Sequence, residues 1–347
     1  IRFYGGVCFN PNSPTATEWQ TLGKYRFIVP RFEAFSRNGS TFLACNFLST
    51  EHDRLPELMI NLQRMCPSPI SASPRVLLHR DADLPDRSGW TKLVHRALEA
   101  INDPTDPLSK VVIARRTEAT SVAEFTPQAL LSSMSRPDDR SFRFLMQTRP
   151  GTAFISVTPE RLFSLKGRSV HSEAIAGTRP RGETLEIDQR LQQELTNSAK
   201  DLLEHQIVHD AISAALSALC TETTTSEITI LQLSGVQHLM SQLSGKLRNS
   251  LNAADLLDAL HPTPAVGGKP TKSACRFLIE HELFDRGWYA APIGWVGQEE
   301  ATFAVGIRSA LIDKGAVLFF TGNGVVTGSS PKAEWEELEA KIRHYFD

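Results

Sequence analysis

Apolar positions along the chain switch between two periods. In SGWTKLVHRALEAIND (88–103), Leu93, Ala97, Leu98 and Ile101 fall on one helical face. From Asp188 to Leu219 the pattern is again helical. Leu203, Ile207, Ala211, Ala215 and Leu219 recur every four residues there, and Asn197 or Ser198 is available as a cap. A further helix is expected around Leu55–Met65. Ser330–Pro331 opens a last one, SSPKAEWEELEAKIRHYF (329–346), with proline at the favoured first position. Strands are predicted at TFLACNFLST (41–50), VLLHR (76–80) and KVVIARRTEAT (110–120). FRFLMQT, TAFISVT and ERLFSLKG extend the β-rich stretch to about residue 167, with Gly- and Pro-marked turns between them. EITILQLS follows, then TFAVGIRSALID and GAVLFFTGNGVV as a hairpin turning at Asp313–Gly315. Residues 66–90, rich in Pro, Ser and Asp, read as a surface connection. There is no internal repeat. Strands and helices do not alternate regularly, which disfavours a doubly wound parallel fold and favours α+β, with mostly antiparallel sheet and packed helices.

Composition narrows this little. A chain of 347 residues could hold two ordinary domains or one large unit. Its 41% apolar and 22% charged content is that of a globular protein with a sizeable core. A net charge of −2 gives no strong field for nucleic acid. No apolar run approaches the roughly 18 residues of a membrane span. Cys8, Cys45, Cys66, Cys220 and Cys275 are scattered without a CxxC pair. They read as reduced packing residues of an intracellular protein. The chain begins IRFYGGVCFN, without a methionine or a signal-like segment. The expectation is a trimmed or mature form, part of a larger polypeptide in one reading, with any targeting peptide outside it.

The last helix crowds Glu334, Glu336, Glu337 and Glu339 into six positions, although like charges at this spacing repel. Glu334 and Glu337 are three apart and share a face, as do Asp201 and Glu204 in the 198–219 helix. Each pair could be solvated. Facing each other, the two pairs would suit Mg²⁺, which favours a few carboxylates, waters and an oxygen of an anionic substrate. Lys110, at the entrance of a strand, is either an exposed edge charge or, buried beside other cations, a base. Glu160 and Glu173 are buried-looking acids. Gly177 and Thr178 could offer backbone N–H groups to an anion. TGNGVVTGSS (321–330) reads as a glycine loop entering a helix N-terminus, but lacks the GK[ST] ending of a P-loop. Arg308 alternates with apolar residues on a predicted strand, where it must be paired or else bind a carboxylate. His238 is a core histidine or a site residue.

The order of these segments carries more than any one of them. KVVIARR, TPERLFS, EAIAGTRPRG, KDLLEH, VQHLMSQLSG, HPTPAVGGKP, DRGWYAAPIGW, FAVGIRSALI, TGNGVVTGSSP and EWEELEAK follow one another. The series resembles the chorismate-utilising enzyme family, closely over residues 90–347 and loosely over 1–88. The resemblance implies one large α+β domain over 1–347, with two mostly antiparallel sheets and flanking helices around a central site. Chorismate as substrate and Mg²⁺ as cofactor are implied with it. So is a chain that is often monomeric and binds neither nucleic acid nor membrane.

By the same resemblance Glu204 and Glu337 match the metal ligands, and Asp201 and Glu334 match positions reaching the metal through water. Glu336 and Glu339 match no role and are expected to be solvated. Lys110 matches a water-activating lysine and Glu160 the general acid. Tyr289 and Arg308 match contacts to the pyruvyl carboxylate. Gly177, Thr178 and the Gly322–Gly324 loop match backbone contacts to substrate. Lys341 matches a lysine near the ring carboxylate, and His238 a site histidine. Ala265 stands where aminating and salicylate-forming members tend to carry threonine, and EAIAGT has alanine where aminodeoxychorismate synthases carry a nucleophilic lysine. Within the family the chain most resembles isochorismate synthases of the plant and menaquinone-pathway type, which feed quinone, siderophore or salicylate synthesis. Salicylate formation and a catalytically silent chorismate-binding domain are the alternatives. The implied location is bacterial cytoplasm or plastid stroma.

Overall fold

The computed structural model describes residues 1–37, 39–64, 76–134, 140–233 and 235–346. The strands begin with β1 Phe3–Val7, β2 Tyr25–Ile28, β3 Phe32–Arg37, β4 Ser40–Cys45, β5 Leu78–Leu84 and β6 Lys110–Ser121. They continue as β7 Phe142–Arg149, β8 Thr152–Thr158, β9 Arg161–Lys166, β10 Ser169–Pro180, β11 Cys220–Thr225 and β12 Thr229–Gln232. The last are β13 Val236–Leu247, β14 Gly268–Lys269, β15 Pro292–Val296, β16 Glu300–Val305, β17 Ser309–Asp313 and β18 Ala316–Val325. The helices are α1 Leu55–Arg64, α2 Arg87–Asn102, α3 Pro127–Met134, α4 Leu185–Asn197, α5 Ala199–Leu219, α6 Ala253–Leu260, α7 Thr271–His281 and α8 Pro331–Ile342.

The architecture is α+β. One sheet runs β11-β13-β10-β9-β16-β15-β1-β2, with β12 on β13. A second runs β14-β6-β18-β17-β8-β7, with β5 on β6. The long central pairs β10·β13 and β6·β18 are antiparallel over most of their length. One apolar cluster joins the sheets through Trp19, Phe154, Phe163, Trp288, Phe303 and Phe320. A smaller one, with Ile155, Val157, Ile312, Phe319 and Ile342, fills the other face of the second sheet. Strand β8 is buried at every residue because Phe154 enters one cluster and its neighbour Ile155 the other.

Several local expectations need correction. The strand expected at 41–50 stops at Cys45, and residues 49–54 form a 3-10 helix. The strand expected at 76–80 lies at Leu78–Leu84, a polar segment whose partner β6 supplies the pairing. Met65 and residues 66–75, Cys66 included, lie outside the described residues; the rest of the expected 66–90 connection holds β5 and the start of α2 instead. The 188–219 helix is two helices broken at Ser198, whose hydroxyl accepts from the Asp201 N–H. The buried stripe of α5 is Asp201, His205, Val208, Ile212 and Leu216, while Leu203 is exposed. Four-residue spacing alone chose the wrong row of that helix.

The hairpin at Asp313–Gly315 forms as expected, with Lys314 and Gly315 at φ 51° and 91°. Helix α8 starts where proline and the Ser330 cap place it. Among the described residues Cys8, Cys45, Cys220 and Cys275 are free, and no helix is long and apolar enough to cross a membrane.

Candidate active site

Residues of both large sheets, α5 and α8 line a narrow cavity of about 110 Å³, partly open to solvent. Glu160, Gly177, Thr178, Glu204, His238, Ala265, Tyr289, Arg308, Gly322, Gly324, Glu337 and Lys341 all border it. Lys110 lies just behind the wall. It is fully buried, and its Nζ donates to Glu204 Oε1 at 2.9 Å.

The 322–324 segment is not a loop. It is the C-terminal half of β18, with Gly324 opposite Val112 and Gly322 opposite Ala114 on β6. A Cβ at Gly324 would lie 2.6 Å from Glu204 Oε1 and 3.0 Å from Lys110 Cε. One at Gly322 would lie 2.5 Å from the Tyr289 hydroxyl. The glycines therefore clear one face of a strand so that charged and phenolic groups can cross it. Gly177 is also not an isolated turn. It is a bulge within β10 at φ 75°, facing Asp201 Cβ. Arg308 lies between β16 and β17 rather than on a strand. At φ 46° it holds a left-handed conformation uncommon for a side chain of its kind.

Glu160 follows Pro159 in the link from β8 to β9. Burial pushes its carboxyl up to about 8; nearby Lys110 opposes the rise and Glu173 adds to it. At neutral pH the group is a protonated acid. Glu173, off the cavity, is also raised by burial, against Arg161 at 3.8 Å. Burial, helped by Arg308 and Lys341, brings His238 down to about 3. An arginine only donates, so the 3.2 Å contact to Arg308 makes His238 Nε2 an acceptor and places the ring proton on Nδ1. From there it donates to Gly177 O at 3.2 Å, beside the Thr178 hydroxyl at 3.1 Å. The neutral ring thus orients Arg308 against the β10 bulge. Tyr289 stacks on Phe320 at 5.4 Å, and burial raises its hydroxyl well above the ordinary range, leaving a neutral donor.

The acidic residues of α8 divide by direction. Glu337 faces the cavity and pairs with Lys341 at 2.9 Å. Burial would raise it, but Lys341, then Asn323 and Lys200, hold it below its ordinary value. Glu334 is buried off the cavity against Lys200 at 2.7 Å, and burial raises its carboxyl against that lysine. Glu336 is exposed. Glu339 is not solvated as expected. It accepts from fully buried Arg115 at 2.5 Å and from Arg80 at 2.8 Å, and those guanidiniums hold it down at about 2. Asp201 is buried next to Arg179 at 2.7 Å and does not border the cavity.

Glu204 and Glu337 are thus the two carboxylates presented to the cavity. Hard oxygen donors of this number fit Mg²⁺ when water and an anionic ligand complete the shell. Among the described residues no group of three or more His, Cys, Asp or Glu side chains is placed to hold a metal alone. Sequence reasoning missed Asn323, a side chain on the cavity wall between the two glycines. Two glycines spaced by two inside an apolar strand pattern were the available signal.

The chain belongs to the chorismate binding enzyme family, whose profile matches residues 1–346. It is 37% identical over 356 residues to the chloroplastic isochorismate synthase of Catharanthus roseus, covering 99% of this chain and 61% of that protein. It is 38% identical to the chloroplastic isochorismate synthase 2 of Arabidopsis thaliana, covering 99% and 63%. The chain therefore spans about three fifths of the length of these plant relatives. The solved structure of MenF, the menaquinone-specific isochorismate synthase from Escherichia coli, superposes with a TM-score of 0.86. The identity is 28%, with coverage of 100% of this chain and 79% of that one.

Proposed function

We propose that this chain converts chorismate to isochorismate with Mg²⁺. The observation that carries the reading is a buried acid on the cavity wall with a buried amine close behind that wall. Glu160 is an acid that keeps its proton to about pH 8. Lys110 is a buried amine held by Glu204. A hydroxyl exchange needs both a proton donor for the departing oxygen and an acceptor for the entering water.

In this mechanism the Lys110 amine takes a proton from water as the water oxygen bonds to C2 of the ring. The ring double bonds shift, and the C4 hydroxyl leaves with the proton of Glu160. One water enters and one leaves, so the product is an isomer. Glu204 and Glu337 would hold Mg²⁺, with Asp201 and Glu334 behind them. The ion would supply charge to balance the ring carboxylate. Arg308, set by His238, and the Tyr289 hydroxyl hold the pyruvyl carboxylate. Lys341 faces the ring carboxylate, and Gly177, Thr178, Gly322 and Gly324 keep the wall close to the ring. Ala265, on the cavity wall, favours this reading over salicylate formation.

Turnover in H₂¹⁸O tests the chemistry. Isochorismate should gain one ¹⁸O, at C2. Unlabelled product would mean that the hydroxyl migrates without solvent water and would overturn the roles of Lys110 and Glu160.

A further inference from the structure

Asn323 sits on β18, buried, with its two amide ends in different company. Its Nδ2 donates to Glu334 Oε2 at 2.5 Å and to the Glu334 carbonyl at 3.3 Å. Its Oδ1 accepts from Lys341 Nζ at 3.3 Å. The amide can take only this orientation, because the reverse would set oxygen against a carboxylate and NH₂ against an ammonium. Glu334 is in turn held by Lys200 of α5, and Lys341 by Gly322 O at 3.0 Å and Glu337 at 2.9 Å. A chain of contacts, Lys200–Glu334–Asn323–Lys341–Glu337, therefore ties α5, β18 and α8 together. Asn323 is its one neutral member.

We propose that Asn323 is a positioning residue of the site, whose amide turns Glu334 away from the cavity and fixes the Lys341 ammonium where an anionic group of the substrate is received. The inference rests on the chorismate reading above. Lysine carries its charge on a flexible four-carbon stem, so acceptors from separate directions are needed to hold it in one place. Without the amide oxygen, Lys341 keeps only Gly322 O and Glu337, and is drawn back onto Glu337. Without the amide N–H, the buried Glu334 Oε2 loses its 2.5 Å donor, which costs stability. An aspartate at this position would set two carboxylates side by side.

The test compares the parent chain with Asn323→Ala, Asn323→Asp and the double substitution Asn323→Asp/Glu334→Gln, all at saturating Mg²⁺. The double substitution exchanges amide and carboxylate between the two positions. It restores a matched donor and acceptor and keeps an oxygen toward Lys341. Asn323→Ala should raise KM for chorismate about tenfold, with kcat within about threefold of the parent. Asn323→Asp should be worse, and the exchange should lower KM at least about threefold from the Asn323→Asp value. A purely structural role would lower the melting temperature and the active fraction while leaving KM unmoved, and would overturn the proposal. So would an exchange no better than Asn323→Asp alone. If the parent leaves chorismate unchanged, the chorismate reading itself falls; an active parent with an unmoved Asn323→Ala KM sinks only the role of Asn323.

Discussion

At neutral pH Glu160 keeps its proton because burial lifts it from 4.5 to about 8. Between those two values the folded chain holds a proton that the unfolded chain has released. The stabilisation from this group is therefore complete below about 4.5 and is lost as pH rises through about 8. Glu160→Gln cannot ionise, so its melting temperature should gain on the parent as pH rises across that window; a constant difference would contradict a buried, protonated acid. The same substitution should cut turnover about 10²–10⁴-fold, and parent activity should decline as pH rises past about 8. Gly324→Ala tests the clearance between Glu204 and Lys110. It should cost at least about tenfold in turnover while leaving the circular dichroism spectrum intact, since both clashing atoms belong to side chains. Full activity in that variant would show that the Lys110–Glu204 arrangement is not needed. At this scale the sequence was informative about which residue types matter and poor about their state. The spacing of Glu334, Glu337 and Glu339 says which face each occupies on α8. It does not say that Arg115 and Arg80, distant in sequence, would claim Glu339.

Helix α8 brings Glu337 and Lys341 to the cavity, and Glu339 pins its other side to β5 and β6 through Arg80 and Arg115. Arg115 is fully buried and also lies 4.6 Å from the Trp335 ring. Glu339→Ala would leave that buried guanidinium with Asp83, at 3.7 Å, as its remaining carboxylate among the described residues, and should cost about 3 kcal/mol in a denaturant titration. Glu336→Ala, on the exposed side, should stay within about 0.5 kcal/mol. Equal effects would mean that the helix is held by packing alone. Elements with local signals were legible: α8 from Ser330 and Pro331, the β17–β18 hairpin from its turn, and α2 from its period. Elements whose form depends on distant partners were not. The polar strand β5 exists because β6 pairs with it, β18 keeps two glycines because Tyr289 and Glu204 press on them, and Arg308 leaves the strand pattern to meet His238.

Over the whole molecule, two antiparallel sheets share one apolar cluster and leave one cavity where nearly every expected site residue meets. The α+β class was readable from irregular alternation. The site was readable only from the order of ten short motifs, since each of its residues alone has an ordinary structural explanation. The most direct test of the account is incubation with chorismate and Mg²⁺, with and without EDTA, and separation of the products by HPLC. The account predicts a Mg²⁺-dependent mixture of chorismate and isochorismate without salicylate. Salicylate with pyruvate, unchanged chorismate, or turnover indifferent to EDTA would contradict it.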